Sequence, residues 1–286
     1  INNPPPVIQQ VLANNPTNEG SEVRFVVQAS DAGQDPLTYH FDFDQDGIFE
    51  QSNETGEAVY TYPEDGNYLA TIEVRDDQGA SALFEYPISV MNTPPVLEEL
   101  NMVGDPVEGS SVNFNVIASD AGIFDLLTYE FDLDGQEGFE ISQSNPNLTH
   151  TFPDSGLYTV RVRVSDEDSA ISTRSLLVDV SNLPPSGEIF FEGLSVREGV
   201  VATADQGRDF DVYALGSDPS SIDADSLSYH WDLDQDGIYE LLSSDSRQVL
   251  RFNQEGSYII RCLIRDKDFG ETLIEREILI AGRPPE

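Results

Sequence analysis

Three similar stretches of about 90 residues follow one another along the chain, and this repetition constrains the fold more than any other feature. Proline pairs open the stretches in "NNPPPV", "MNTPPV" and "SNLPPS", and a Glu-Gly pair follows each of them. A later segment recurs as "YHFDFDQDG", "YEFDLDGQEG" and "YHWDLDQDG". We therefore expect three tandem domains, at residues 1–92, 93–182 and 183–286, with a further repeat starting at 284–286.

Within each repeat, apolar and polar residues alternate at a period of two. Residues 68–75, "YLATIEVR", place every second side chain on an apolar face, as in a half-buried strand. No segment shows a convincing period of 3.6. About seven short strands per repeat, separated by Gly, Pro, Asn and Asp, predict an all-β fold of three tandem immunoglobulin-like β-sandwich domains in an elongated array. Trp231 and Cys262 take inward-facing positions, so we expect both in the core.

The net charge of −39, from 53 acidic and 14 basic residues, limits the class of partner. It argues against nucleic acid and anionic membrane surfaces, and it favours cations. No run of about 18 apolar residues is present, so we expect no membrane insertion in this segment. A saline host that selects acidic surfaces for solubility is an alternative explanation of the charge.

The recurring aspartates have most of the spacing of a calcium-binding loop. An EF-hand loop has acidic ligands at positions 1, 3 and 5, glycine at 6, a carbonyl at 7 and a further ligand at 9. "DFDQDGIFE" and "DLDQDGIYE" match these positions, but the glutamate of position 12 is missing. The predicted calcium ligands are Asp42, Asp44, Asp46, Ile48 and Glu50 in the first repeat and Asp232, Asp234, Asp236, Ile238 and Glu240 in the third.

The second repeat has an altered copy of this loop. It lacks Asp at position 5 and Gly at position 6, and its candidate ligands are Asp132, Asp134, Gln136 and Glu140. Without a metal, carboxylates brought together would repel one another and their pKa values would rise. The alternative for all three loops is a hydrated acidic turn, with its aspartates on the solvent face of a strand.

A second set of acidic residues is predicted where consecutive repeats meet. If strands alternate up and down, the loops at one end of each sandwich lie beside the linker through which the chain arrives. In the first repeat these loops carry Asp31, Asp35, Asp76 and Asp77, and in the later repeats they include Asp125 and Asp223. The candidate ligands at the junctions are Asn92, Asp120, Asp166, Asp168, Asn182, Asp218, Asp266 and Asp268.

These motifs resemble tandem PKD repeats of bacterial and archaeal extracellular proteins, with a secondary likeness to cadherin-like repeats. The shared features are the "YHFDFDQDG" strand, the "G-x-Y" turn, the "V-x-D" strand end and the "N-x-PP" junction. The glycine two residues before Tyr68, Tyr158 and Tyr258 is typical of a tyrosine corner. The resemblance implies β-sandwich spacers, adhesion elements or accessories of secreted enzymes, with calcium near the domain ends.

The patterns favour a calcium-binding, non-catalytic structural or adhesive segment of a cell-surface or secreted protein, in which ions stiffen loops and junctions. The predicted partners are the neighbouring repeats and, beyond them, another surface protein or a polysaccharide. The alternative is a ligand-binding accessory module, for polysaccharide or protein, of a secreted hydrolase. We expect no enzymatic activity, because His40, His150 and His230 lie in separate repeats and one cysteine leaves no zinc set or nucleophile triad.

Overall fold

The computed structural model describes residues 3–194, 201–233, 236–239, 241–243 and 245–282. Its regular structure is almost entirely β-strand, which confirms the predicted all-β class of tandem sandwich domains. None of the helical structure in the described part of the chain has the length and hydropathy of a membrane span.

The first repeat folds into two sheets, in the orders β1-β3-β6 and β2-β8-β7-β4-β5. The short strand β2 pairs with β8 in parallel, and the other pairs are antiparallel. The strands are β1 (Val7–Ala13), β2 (Thr17–Asn18), β3 (Glu22–Ser30), β4 (Leu37–Asp42), β5 (Gln51–Asn53), β6 (Glu57–Thr61), β7 (Gly66–Asp76) and β8 (Ser81–Met91).

The second repeat has the same pattern, with sheets β13-β10-β9 and β12-β11-β14-β15. An isolated parallel bridge between Val107 and Ser181 stands where the first repeat has the β2–β8 pair. The strands are β9 (Val96–Val103), β10 (Ser111–Ser119), β11 (Thr128–Asp132), β12 (Ile141–Gln143), β13 (Asn147–Thr151), β14 (Gly156–Ser165) and β15 (Ile171–Val180).

The third repeat forms sheets β16-β18-β21 and β17-β23-β22-β19-β20. Its strands are β16 (Ser186–Glu192), β17 (Ala202–Asp205), β18 (Asp209–Ser217), β19 (Ser228–Asp232), β20 (Leu241–Ser243), β21 (Arg247–Arg251), β22 (Gly256–Arg265) and β23 (Glu271–Ala281). Before β19 lies a single helical turn, α1 (Ser221–Ala224), capped by Ser220, whose hydroxyl accepts a hydrogen bond from the Asp223 amide. The sequence did not predict α1, because one turn is too short to show a 3.6-residue period.

Contacts along the chain define two compact units. The first contains Ile1–Asn101, Asn115–Pro146 and Arg161–Ser175, and the second contains Met102–Phe114, Asn147–Val160 and Leu176–Glu286. Strands of the second repeat therefore belong to both units. The boundaries of the three domains at 92/93 and 182/183 stay predictions, and the segment 284–286 lies outside the described residues.

The alternating apolar residues form the cores of the first and third repeats. Trp231 and Cys262 are 0% exposed in the third core, as predicted, and burial raises the pKa of the Cys262 thiol to about 12. Each fully buried aliphatic or aromatic side chain contributes roughly 1.5–3 kcal/mol. The first core includes Val23, Phe25, Phe41, Phe43, Tyr62, Ile72, Val74 and Ile88; the third includes Ile189, Val212, Trp231, Ile260, Cys262, Ile264 and Ile278.

A tyrosine hydroxyl fixes the turn before the long central strand of each repeat, which confirms the predicted tyrosine corners. Each hydroxyl donates to the carbonyl four residues upstream. The pairs are Tyr68 and Glu64 at 3.1 Å, Tyr158 and Asp154 at 3.0 Å, and Tyr258 and Gln254 at 3.2 Å. In the first two repeats the corner therefore holds the backbone of an acidic residue in a fixed position.

Candidate metal centres

The loop after β4 brings together the four acidic side chains predicted in the first repeat. One carboxylate oxygen from each lies within 4.8 Å of the others: Asp42, Asp44, Asp46 and Glu50. Asp42 is only 4% exposed and accepts hydrogen bonds from the amides of Gln45 (2.7 Å) and Gly47 (3.0 Å). Its burial argues against a strand aspartate that merely faces solvent. Gly47 has φ of 88°, a conformation that glycine adopts without strain.

Backbone amides orient the other carboxylates of this loop. Glu50 accepts from the Phe43 amide at 2.8 Å, and Asp46 accepts from the Ile48 amide at 2.8 Å. These bonds use one oxygen of each carboxylate, and a carboxylate has a second oxygen that can bind a cation. The Ile48 side chain is 66% exposed, and the proposed role of its carbonyl stays a prediction.

In the second repeat an arginine enters the corresponding loop. Oxygens of Asp132, Asp134 and Glu140 lie within 4.8 Å of one another, and Asp132 is 0% exposed. Nε of Arg161 donates to Asp132, and Nη2 of Arg161 donates to the carbonyl of Gln136 at 2.5 Å. Two predicted calcium ligands, Asp132 and Gln136, are therefore hydrogen-bonded to the guanidinium group of Arg161.

Strand pairing decides which side chain lies opposite the first aspartate of each loop. The antiparallel pairs are Asp42 with Thr71, Asp132 with Arg161, and Asp232 with Arg261. Arg261 lies 3.6 Å from Asp232 but is also bound to Glu275 at 2.5 Å. The first loop thus faces a neutral residue, and the other two face arginines.

The third-repeat loop is described in part. Asp232 is 1% exposed and accepts from the Gly237 amide at 3.3 Å, and Asp236 accepts from the Ile238 amide at 2.7 Å. These bonds match those of the first loop. The predicted ligands Asp234 and Glu240 lie outside the described residues.

At the junctions, the structure pairs each linker asparagine with the aspartate that follows or ends the long central strand. The asparagine amide donates to the carboxylate in all three repeats: Asn3 to Asp76 at 3.0 Å, Asn92 to Asp166 at 3.1 Å and Asn182 to Asp266 at 3.0 Å. Backbone amides hold the same aspartates, as when Ala170 donates to Asp166 at 2.8 Å. Burial opposes ionisation of Asp76, but bonds from Ala80 and Asn3 outweigh it and lower the pKa of Asp76.

Buried oxygens without hydrogen-bond donors recur beside these pairs. In the second repeat they are Asn92 Oδ1, Asp120 Oδ2 and both carboxylate oxygens of Asp125, and in the third they include Asn182 Oδ1, Asp218 Oδ2 and both carboxylate oxygens of Asp223. The same positions are therefore without donors in two repeats. Each such buried oxygen costs about 1–3 kcal/mol unless a partner satisfies it.

Three acidic residues form a first junction cluster, defined as Glu19, Glu64 and Asp125, with oxygens within 4.8 Å of one another. Glu19 is 2% exposed and accepts from the amides of Thr93 (2.7 Å) and Asp65 (3.0 Å). Burial, reinforced by the charges of Glu64 and other neighbours, raises the pKa of Asp125 to about 7. Burial also raises the pKa of Glu19.

A second junction cluster, defined as Glu108, Asp154, Asp223 and Asp268, has the corresponding position between the second and third repeats. Glu108 and Asp223 are both 0% exposed. Lys267, the chain's single lysine, lies with Nζ 2.7 Å from Asp154, 3.1 Å from Asp223 and 2.5 Å from Asp268. The second cluster therefore contains a cationic side chain.

The structure adds residues that we did not predict as ligands from the sequence: Glu19, Glu64, Glu108 and Asp154. The recurring Glu-Gly pair was the available signal. Gly20 and Gly109 have φ of 67° and 69° and pack against Ala121 and Pro219 of the following repeat, so the preceding glutamate is carried into the junction. Of the predicted residues, Asp268 joins the second cluster, and like Asp77 and Asp168 it is exposed.

Comparison with known families assigns the chain. A model of the PKD domain matches residues 3–86 and 92–180, well over half of the sequence. The chain belongs to the PKD domain family. PKD repeats are structural or binding modules, typically of extracellular proteins, which agrees with the resemblance inferred from the sequence.

Several solved structures resemble the PKD chain at low similarity. They are the Bacteroides ovatus SGBP-B of a mixed-linkage glucan utilization locus, in complex with a heptasaccharide (14% identity, TM-score 0.27, covering 99% of this chain and 72% of that one); cadherin domains 3–6 of protocadherin gamma B2 (16%, 0.30, 97% and 73%); and the insect immune protein hemolin (14%, 0.37, 96% and 76%). At these TM-scores the matches carry no inference about ligands.

Proposed function

We propose that this PKD chain is a calcium-binding, non-catalytic structural or adhesive segment of a cell-surface or secreted protein, in which Ca²⁺ ions fix the junctions between repeats and the loop after β4. The observation that carries the proposal is the recurrence of donor-free buried oxygens at the same junction positions of two repeats, Asn92 with Asn182 and Asp120 with Asp218. One divalent cation at each junction would satisfy the oxygens of that junction.

The donor set fits calcium. Ca²⁺ takes six to eight oxygen ligands from carboxylates, amide carbonyls and water, in flexible geometry. The first junction offers an amide oxygen of Asn92 and carboxylates of Asp120 and Asp125, with Glu19 and Glu64 close to Asp125. Burial, reinforced by the surrounding negative charges, raises the pKa of Asp125 to about 7, and a bound dication opposes this shift by favouring the ionised form.

An ion at this junction acts mechanically because its ligands come from separate segments. Glu64 belongs to the tyrosine corner of the first repeat, Asn92 to the linker and Asp125 to a loop of the second repeat. Binding to the folded arrangement alone stabilises it by mass action. The same ion lowers the freedom of the linker, which "NTPP" already restricts.

Calorimetry tests the proposal by comparing the Tm of the chain in Ca²⁺ with its Tm in a chelator. Both buffers contain about 150 mM NaCl, so that the screening of surface charges is the same. Calcium at about 100 times its Kd contributes about 2.7 kcal/mol, which corresponds to a rise in Tm of more than about 10 °C for a domain of this size. Equal Tm values in the two buffers would contradict the proposal.

The variant D125N sharpens this test, because its two expected effects have opposite signs. In chelator, D125N removes a repelling carboxylate and raises Tm; in calcium it removes a ligand and lowers Tm. E99Q, which neutralises an exposed acid on β9, serves as the matched control and leaves the calcium shift at its wild-type value. A D125N shift equal to that of E99Q would place the bound ion elsewhere.

A further inference from the structure

We propose that Lys267 takes the place of one divalent ion at the second junction cluster, so that the first cluster recruits calcium at this position whereas the second does not. The inference rests on the proposed function of the junctions. It concerns only the position beside Asp125 in the first cluster and Asp223 in the second, and it leaves the calcium role proposed for Asn182 and Asp218 unchanged.

Lys267 and Glu167 hold the same position in equivalent turns. In the turn from β14 to β15, the Asp166 amide donates to the Ala170 carbonyl at 3.3 Å, and in the turn from β22 to β23 the Asp266 amide donates to Gly270 at 3.1 Å. Both turns carry a residue with positive φ at the same place, Ser169 (73°) and Phe269 (69°). At this one position, therefore, the second repeat has the negative charge of Glu167 and the third repeat has the positive charge of Lys267.

Three carboxylates of the cluster surround the ammonium group of Lys267. Nζ donates hydrogen bonds to Asp154 and Asp268 and forms an ion pair with Asp223 at 3.1 Å. Burial alone would lower the pKa of Lys267, but hydrogen bonds to Asp154, Asp268 and Asp223 hold this pKa above its ordinary value. Ser155 also donates to Asp268 at 3.0 Å and fixes that carboxylate beside the lysine.

The first junction cluster has no comparable cation among the ion pairs of the described residues, although its carboxylates are placed in the same way. Asp125 corresponds to Asp223, and both carboxylate oxygens of each are buried without a hydrogen-bond donor, but only Asp223 has an ammonium group beside it, with Nζ of Lys267 at 3.1 Å. Glu167, the counterpart of Lys267, is exposed and adds negative charge. In this inference a cation from solution balances the first cluster, as Lys267 balances the second.

A reciprocal charge exchange tests the inference by counting calcium ions per chain, using isothermal titration and equilibrium dialysis. K267E gives the second junction the acidic residue of the first and is expected to gain one ion. E167K gives the first junction the lysine of the second and is expected to lose one. The double variant returns to the wild-type number, and K267R, which keeps the charge, retains it.

The outcomes separate the inference from the proposed function. A wild-type chain that binds calcium, with both single variants binding the same number of ions, overturns the role of Lys267 and leaves calcium binding intact. A wild-type chain that binds no calcium overturns both. Fluorescence of the buried Trp231 shows whether the third repeat of K267E is folded; if it is not, E167K, whose substitution lies in the second repeat, decides the question.

Discussion

Asp125 shows how much the acidic composition matters for a single side chain. Its carboxylate is buried beside Glu64, Asp120 and Glu19, and its pKa is about 7, against an ordinary value of 3.8. Between these two values the folded protein holds a proton that the unfolded chain has released. The metal-free folded state therefore loses stability as pH rises through this range.

We expect this effect in a pH series of melting temperatures measured with chelator. The Tm of the wild-type chain falls from about pH 4 to about pH 7, and D125N, which has no titrating group at this position, shows a smaller fall. Other carboxylates contribute to the slope in both proteins, so the difference between the two is the relevant quantity. Identical slopes would mean that Asp125 has an ordinary pKa.

Cys262 gives a second prediction for a single residue. It is 0% exposed, and burial raises its thiol pKa to about 12, so little thiolate forms near neutral pH. We expect iodoacetamide to leave the folded chain unmodified and to react once denaturant opens the third repeat. Mass spectrometry measures the modified fraction, and labelling of the folded chain at the rate of a free thiol would contradict the placement of Cys262 in the core.

At the scale of the element, β7, β14 and β22 control the aspartate loops through the residue that they set opposite the first aspartate. Thr71 is neutral, whereas Arg161 contacts both Asp132 and the carbonyl of Gln136. A guanidinium at this point competes with a metal ion for the same oxygens. We infer that cross-strand pairing, as well as loop sequence, determines which loop binds calcium.

Placing arginine on β7 tests this influence. T71R is expected to weaken calcium binding at the first loop by more than about tenfold, a loss of at least about 1.4 kcal/mol. Q10R adds the same charge on an exposed position of β1 in the other sheet and is expected to leave this affinity nearly unchanged. Terbium luminescence or titration calorimetry measures the affinity, and equal values for T71R and Q10R would contradict the competition.

Local sequence predicted the elements well because the signals are local. Alternation in residues 68–75 identified β7, and Gly-x-Tyr identified the corner of Tyr68. The aspartate spacing also predicted that Asp42 and its acidic neighbours lie together, since all four carboxylates belong to one short loop. The roles of Arg161 and Lys267 were not predictable in this way, because they depend on strand register and on contacts with residues distant in sequence.

The junction clusters show the same limit at larger range. Glu19, Glu64 and Asp125 come from three segments far apart in the chain, and no local pattern brings them together. Sequence repetition did indicate that Glu19 and Glu108 hold equivalent places, but it did not reveal that they are 2% and 0% exposed. The sequence does not show which acidic side chains are buried, and this information is needed to identify the clusters.

For the whole molecule, the net charge of −39 acquires a structural role. Much of this charge lies on exposed surfaces, where it favours solubility. Part of it is concentrated in buried clusters at the repeat junctions and loops, where like charges destabilise the fold until a cation is present. Lys267 and Arg161 supply such a cation from the chain itself at two of these places.

A crystal structure grown in calcium, with anomalous difference maps collected at long wavelength, tests the central claim most directly. We predict an anomalous peak at the first junction, bonded to Asn92, Asp120 and Asp125 at about 2.3–2.6 Å within a shell of six or more oxygens. At the second junction, no peak is predicted beside Asp154 and Asp268, where the ammonium group of Lys267 lies. A first junction that contains only water at full calcium occupancy elsewhere would contradict the account.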